Sequence, residues 1–225
     1  MTLRKRVWVI AACATFAIGA FVLSNFSSEP AEAASRKHRG MASSGDAHNP
    51  DYPQIDIPPV FDAQGKLVQP KNFRDWYFIG APITPNGLNN GKANFPEIHN
   101  VYVQRSALSA YRATGKWPEG TMMVKELQLV GGTAEFPDGS HFEPSGRGYF
   151  PGAVNGLDVA VKDSKRFPNS KNWGYFNFNH SAPPYLPATA EKPVSECAGC
   201  HIKNAEEDMV YISHYRPLIT PLLGN

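Results

Sequence analysis

The 225-residue sequence predicts an α+β fold, built mainly on an antiparallel sheet of four to five strands with a few helices. Twenty prolines and nineteen glycines argue against a helical bundle, because both residues interrupt regular structure. Short segments with alternating apolar residues predict the strands. The last predicted helix follows the last strand and carries a cysteine-rich motif near the C-terminus.

The first 33 residues have the pattern of an export signal. Three basic residues at 4–6 precede an apolar run over 7–23, and Ala31-Glu32-Ala33 forms an A-x-A cleavage pattern. The run is short for a membrane span, so we expect cleavage rather than a retained anchor. Few apolar residues precede Cys13, which disfavours lipoprotein anchoring there. We therefore expect a periplasmic protein without membrane attachment.

Residues 34–59 are polar and lack periodicity, which predicts a flexible leader before a single domain over 60–225. Strands are predicted over 100–104, 121–130, 157–162 and 173–180. A short helix is predicted after a cap at Asn72. Two further helices are predicted, one over 106–114 that stops at Gly115 and one over 197–209 that is capped by Ser195. Residues 80–96 are predicted as a long loop. Residues 131–148 are predicted as a hairpin excursion with Pro137-Asp138-Gly139 as its turn.

The sequence CAGCH, from Cys197 to His201, is the C-x-x-C-H pattern of c-type haem attachment. In this motif the thiols of Cys197 and Cys200 form thioether bonds to the haem, and His201 is the proximal iron ligand. Cys13 leaves with the export signal, so the remaining pair offers no disulfide framework. The motif predicts one covalently attached haem c.

Two other uses of such a cysteine pair are a zinc site and a thioredoxin-like redox centre. A zinc site would need two further ligands from the histidines, and there is no second cysteine pair. A thioredoxin-like redox pair does not require the trailing histidine. The net charge of +2 without a basic stripe argues against nucleic-acid binding.

The sequence leaves the sixth iron position open to interpretation. Met209 lies in the predicted motif helix and cannot reach the opposite side of a haem. Met122, Met123 and His180 are upstream candidates, but none stands out. An open position would suit ligand binding or chemistry, whereas a sixth ligand would suit electron transfer.

Strict alternation along TMMVKELQLV places Lys125 on one face with Met123, Leu127 and Leu129. A lysine among apolar residues lies at a strand edge, extends its amine to solvent, or has a function. Burial beside a haem would favour the neutral amine, which can bond to an oxidised porphyrin.

Four stretches together resemble cytochrome P460, the periplasmic c-haem family of ammonia- and methane-oxidising bacteria. They are FRDWYFIGAPITPNGLNNGKANFPEIHNVYVQ, TMMVKELQLV, GLDVAVKDSKRF and ECAGCHIKNAEEDMVY. The resemblance runs from about Val60 to the C-terminal helix. It implies a homodimer, a five-coordinate ferric haem, and a covalent bond from Lys125 to a haem meso carbon.

The resemblance also implies hydroxylamine oxidation through an iron-nitrosyl to nitrous oxide or nitrite, with an external electron acceptor, such as a periplasmic cytochrome. The alternatives are a nitric-oxide-binding β-type cytochrome c-prime without the cross-link, and a six-coordinate electron carrier. By motif position, Phe95 and His99 are distal candidates and Glu191 is a candidate second-sphere carboxylate. Without a role in the site, Phe95 would be a core-packing residue, His99 a partly exposed strand residue and Glu191 a solvated acid in a loop.

Overall fold

The computed structural model describes residues 56–220. The predicted export signal and nearly all of the predicted leader therefore lie outside the described residues. Within residues 56–220, no helix is long and apolar enough to cross a membrane.

The described chain contains nine strands and three α-helices, together with four single-turn 3₁₀ helices. The strands are β1 (Leu67–Val68), β2 (Tyr77–Gly80), β3 (Ile98–Val103), β4 (Met122–Val130), β5 (His141–Glu143), β6 (Gly146–Gly148), β7 (Pro151–Lys162), β8 (Trp173–Asn177) and β9 (Ala188–Thr189). The helices are α1 (Arg105–Thr114), α2 (Cys197–Asn204) and α3 (Arg216–Ile219).

Five strands form the central sheet, in the order β2-β3-β4-β7-β8, and every neighbouring pair is antiparallel. Two small two-stranded sheets, β1-β9 and β5-β6, lie outside it. The α+β prediction with a sheet of four to five antiparallel strands is confirmed, and α2 follows the last strand as predicted.

The two faces of the central sheet bury different apolar clusters. Leu157, Val159 and Val161 alternate along β7 and are at most 1% exposed, so they face inward as their spacing predicts. They pack with aromatic residues, among them Phe176 and Phe178, on one face. This face is closed by loops and by the first described segment of the chain.

The other face is covered by the helices. Ala107 and Leu108 of α1 and Ala198 of α2 pack with Val103 and Met123 of the sheet. Helix α1 ends where the sequence predicts, because Gly115 takes the left-handed conformation (φ 70°) and donates its N–H to the carbonyl of Tyr111 at 2.7 Å. The helix-covered face is the one on which the cysteine motif lies.

The motif helix α2 is shorter than predicted. It ends at Asn204 rather than near Met209, because Glu207 and Val210 pair across a tight turn that takes the chain out of the helix. Ser195 is not its cap. The N-terminal turn is closed by the backbone, where the N–H of Gly199 donates to the carbonyl of Val194 at 2.6 Å.

Two other local predictions need correction. Asn72 adopts a left-handed conformation and makes no side-chain capping bond, and only one 3₁₀ turn follows it. The turn at 137–139 exists, but the excursion's strands β5 and β6 both come after it. The pairing of β4 with β7 shifts register after Leu127, with the extra residues in β7, and Leu129 near the end of β4 is 41% exposed.

Candidate haem site

Helix α2 presents the two motif cysteines as free thiols. Cys197 is partly buried and Cys200 is exposed, and their i, i+3 spacing places both side chains on one side of the helix. Burial raises the pKa of the Cys197 thiol. Ala198 is buried in the core and fixes the helix on the sheet.

His201, directly after the second thiol, is held in a defined orientation. Its ring lies between Tyr175, with centroids 4.5 Å apart, and Tyr211, at 4.9 Å. Its Nδ1 lies 2.7 Å from the carbonyl oxygen of Met209, and because a carbonyl only accepts, Nδ1 carries the proton. Burial lowers the pKa of His201 and favours the neutral ring. The lone pair of Nε2 is therefore available to a metal.

The surroundings of the motif fit a haem. Two free thiols and one imidazole lone pair are the donor set of c-type attachment. The Tyr175 hydroxyl is buried without a hydrogen-bond partner among the described residues, and a prosthetic group at this site could supply one. No cluster of three or more His, Cys, Asp or Glu side chains within residues 56–220 is placed to hold a metal ion, so nothing gathers further zinc ligands around the thiols.

The sheet face under His201 also carries Lys125. On β8, Tyr175 and Asn177 are two residues apart, roughly 7 Å along the strand, and share a face. Asn177 pairs with Asp158 on β7, and Asp158 pairs with Lys125 on β4. This row of three polar side chains therefore lies beside the aromatic ring that contacts His201.

Lys125 forms an ion pair rather than lying only among apolar groups. Its Nζ is 3.0 Å from Oδ2 of Asp158 and 3.8 Å from the centre of the Phe95 ring, an arrangement that also allows a cation–π contact. The Lys125 side chain is 27% exposed. Burial raises the pKa of Cys197 and the positive charge of Lys125 partly opposes this, whereas at His201 burial and the Lys125 charge both lower the pKa.

Asp158 is the centre of the polar cluster. It accepts hydrogen bonds from Asn177 Nδ2 at 2.7 Å and from His180 Nε2 at 3.1 Å. Burial by itself would raise the pKa of Asp158, but the His180 hydrogen bond, the Lys125 charge and the Asn177 hydrogen bond together lower it. The same hydrogen bond raises the pKa of His180, which is otherwise lowered by burial. The hydrogen bond therefore favours the charged forms of both groups, the carboxylate of Asp158 and the imidazolium of His180.

Phe95 and His99, the two residues predicted on the distal side, lie beside this cluster. The Phe95 ring meets the rings of His99 and His180 edge to face, each at 5.8 Å between centroids. His99 Nε2 lies 3.2 Å from the Phe95 carbonyl oxygen. Burial, followed by the Lys125 charge, lowers the pKa of His99. Phe95 belongs to neither apolar core, so it is a wall of the cluster rather than ordinary core packing.

Glu191, by contrast, is not joined to the cluster by any hydrogen bond or ion pair among the described residues. It makes an isolated β-bridge with Phe176 and its side chain is exposed, although partial burial of its carboxyl raises its pKa. Of the candidate sixth ligands, Met122 packs into the core on the opposite face of the sheet. Met123 is 92% buried in the helix-side core, and His180 is hydrogen-bonded to Asp158.

Sequence reasoning missed three residues near the site. Asp158 alternates with the inward apolar residues of GLDVAVK, which places it on the helix-covered face, but its pairing with Lys125 depends on strand register. Met209 contributes a backbone carbonyl, which no side-chain pattern reveals. Glu97 is 7% exposed, and one of its carboxylate oxygens has no partner in the described structure while the other accepts from Asn155 at 3.1 Å.

The fold and the site together define an α+β protein with the donor set for a c-type haem. The family model of cytochrome P460 matches residues 70–212, and the chain belongs to this family of haem proteins. No curated protein sequence matches the chain. The matched range contains the whole central sheet, the polar cluster around Lys125 and helix α2.

Proposed function

We propose that the chain is a periplasmic mono-haem enzyme that oxidises hydroxylamine to nitrous oxide or nitrite. One haem c would be held through thioether bonds from Cys197 and Cys200, with His201 as the proximal iron ligand. Lys125 would be the residue that forms a further covalent bond to the haem. The observation that carries this proposal is the position of the Lys125 amine, on the same sheet face as the Tyr175 ring that contacts His201.

When bound, the haem would supply an iron position for the substrate nitrogen and would accept its electrons. Oxidation of hydroxylamine also releases protons, so the chain must take them up. Asp158 is ionised and His180 is partly exposed, and the two are linked by a hydrogen bond. The neutral form of His180, oriented by Asp158, can accept a proton near Lys125 and release it to solvent.

The aromatic wall of the cluster supports the same role. Phe95 covers the Lys125 amine, and His99, kept neutral by burial and by the nearby lysine charge, offers a second proton acceptor. Excluding bulk water strengthens the electrostatic interactions within such a site. Both residues would therefore act on the substrate side, and Lys125 would determine the reactivity of the haem.

Electrons must leave the site for an external acceptor, which we propose is a periplasmic cytochrome. Cys200 is exposed, so a haem bonded to it would approach the surface at α2. A homodimer remains part of the proposal, and the exposed Phe142 of the excursion is one surface that a second copy could cover. Cover of the haem edge is the alternative role that we propose for this excursion.

A nitric-oxide-binding protein without turnover is the second candidate. The ion pair with Asp158 favours it, because an ammonium group paired to a carboxylate is not a nucleophile. In that case Lys125 would stay unmodified and would serve as a charged neighbour of the bound ligand.

Mass spectrometry of proteolytic peptides separates the two candidates. The enzyme hypothesis expects one haem peptide that joins the Lys125 segment to the segment 197–201. Clean separation of these segments, with haem on the cysteine peptide alone, would refute the cross-link. A Lys125→Ala variant should show an ordinary c-haem spectrum and lose hydroxylamine oxidation. Lys165→Ala, at an exposed lysine outside the cluster, is the control.

A further inference from the structure

We infer that Lys162, Trp173 and Asp208 form a positioning network that sets the orientation and donor strength of His201. The inference rests on the proposed role of His201 as the proximal iron ligand. It concerns the side of the site away from Lys125, where the sequence indicates no functional residue.

The carbonyl that holds His201 belongs to a tight turn. Glu207 and Val210 pair across it, with the Val210 N–H donating to the Glu207 carbonyl at 2.8 Å. Both central residues have positive φ, 46° at Asp208 and 66° at Met209. Turns with two such residues normally contain Asn and Gly. For aspartate and especially methionine, the left-handed conformation is sterically unfavourable.

Backbone strain of this kind persists only where the surroundings hold it, and it is concentrated at functional sites. Here the strained turn directs the Met209 carbonyl to Nδ1 of His201, at 2.7 Å. Met209 is also 95% buried, so its side chain anchors the turn in the helix-side core. A small rotation of this turn would lengthen the hydrogen bond to the imidazole.

The turn is held by the end of the central sheet. Asp208 Oδ2 accepts from Lys162 Nζ at 2.5 Å, and Asp208 Oδ1 accepts from the indole N–H of Trp173 at 3.2 Å. Lys162 is the last residue of β7 and Trp173 the first of β8, and they lie directly opposite each other in the sheet register. The Asp208 carboxylate is thus hydrogen-bonded to residues of two neighbouring strands.

Neither donor is a mobile surface group. The Lys162 side chain is 12% exposed and its amine also donates to the carbonyl of Trp117 at 2.8 Å. Trp173 is 1% exposed in the core. On the other side of the turn, Glu207 accepts from Tyr111 at 2.9 Å and from Arg216 at 2.6 Å. An ordinary surface turn is seldom supported by a lysine as shielded from solvent as Lys162. The support is explained if the turn has to place an iron ligand precisely.

The chemical consequence follows from the Nδ1–H hydrogen bond. A short, well-aligned bond to a carbonyl gives the imidazole more anionic character and makes it a stronger donor to a metal. A stronger donor stabilises ferric over ferrous iron and lowers the reduction potential. Loosening the turn should therefore raise the potential and weaken the iron–histidine bond, even though none of the three side chains is hydrogen-bonded to Cys197, Cys200 or His201 within residues 56–220.

The test uses the haem-containing protein and three variants. Asp208→Asn keeps the shape and tolerates positive φ but removes the charge, Lys162→Gln removes the cation, and Lys162→Arg retains it. We expect a positive shift in midpoint potential and a lower iron–histidine stretching frequency for the first two variants. Lys162→Arg should be close to the wild type. Asp138→Asn, which breaks the 2.5 Å ion pair to Arg147 in the excursion, is the matched control.

The outcomes separate a positioning role from a structural one. Unchanged potential and stretching frequency in Asp208→Asn and Lys162→Gln would overturn the inference, whatever their melting temperatures. A haem attached at Cys197 and Cys200 with a shifted potential supports it. Absence of haem at these cysteines in the wild type would overturn the proposed function and this inference together. Should Asp208→Asn fail to fold, the comparison of Lys162→Gln with Lys162→Arg decides alone.

Discussion

Lys125 and Asp158 face each other directly on strands β4 and β7, with 3.0 Å between Nζ and Oδ2. The pair is only partly exposed, at 27% and 22% of the two side chains, so its attraction is screened less than that of a surface pair. Asp158 is also hydrogen-bonded to His180, so its carboxylate links Lys125 to an imidazole that can carry a proton. The first predictions concern this link.

Replacement of Asp158 by Asn should slow hydroxylamine oxidation by about 10²-fold or more, the usual contribution of a positioned proton acceptor. The variant keeps the shape of the side chain but removes its charge. It should also lower the pKa of His180 towards its ordinary value, because the hydrogen bond to Asp158 is the main cause of the raised pKa. Steady-state kinetics and an NMR titration of the imidazole measure the two effects.

Asp75→Asn is the control for this replacement, since Asp75 is exposed and lies on the 3₁₀ turn before β2. Asp75→Asn should leave the rate of hydroxylamine oxidation and the pKa of His180 unchanged. Wild-type turnover in the Asp158→Asn variant would remove Asp158 from the proposed proton path.

The activity should depend on pH through His180. A base must be neutral to accept a proton, so the rate should fall as the pH decreases through the raised pKa of His180, above its ordinary 6.5. His180→Gln should lose this acidic limb and retain a lower, flatter rate. The measurement is kcat/KM as a function of pH, and an identical acidic limb in the variant would assign it to another group.

The stability should change with pH in the opposite sense. The pKa of His180 is raised in the folded state, so protonated His180 stabilises the fold. This contribution is complete below pH 6.5 and is lost as the pH rises through the folded-state pKa. Chemical denaturation of the wild type and of His180→Gln at several pH values measures their free energies of unfolding. The difference between the two free energies should shrink as the pH rises through this window. A difference independent of pH would contradict the assignment.

The buried face of β7 predicts a large effect of one core truncation. Leu157 is fully buried, so Leu157→Ala should lower the free energy of unfolding by about 2–5 kcal/mol. Leu129→Ala is the matched control, because Leu129 is 41% exposed near the end of β4. Its effect should be within about 0.5 kcal/mol, as for most surface substitutions. Denaturant melts of both variants test the predicted contrast, and similar losses would contradict the difference in burial between the two leucines.

Local patterns predicted the local structure well. The alternation of Leu157, Val159 and Val161 and the helix stop at Gly115 were read correctly, because each depends on a few neighbouring residues. The exposure of Leu129 does not follow from the pattern of β4 alone, since the register shifts near it arise from the pairing with β7. The end of α2 was misplaced for a similar reason, because long-range bonds hold the turn at Asp208 and Met209.

The sequence by itself determined the donor set of the candidate site, Cys197, Cys200 and His201, because chemical identity and spacing within one helix are local properties. It also singled out Lys125 as an unusual strand residue. Only the tertiary structure decided what surrounds them. Strand register places Asp158 opposite Lys125, and a strained turn held by two strand ends places the Met209 carbonyl on His201. Register and turn support arise from pairing between distant segments, and no local pattern contains that information.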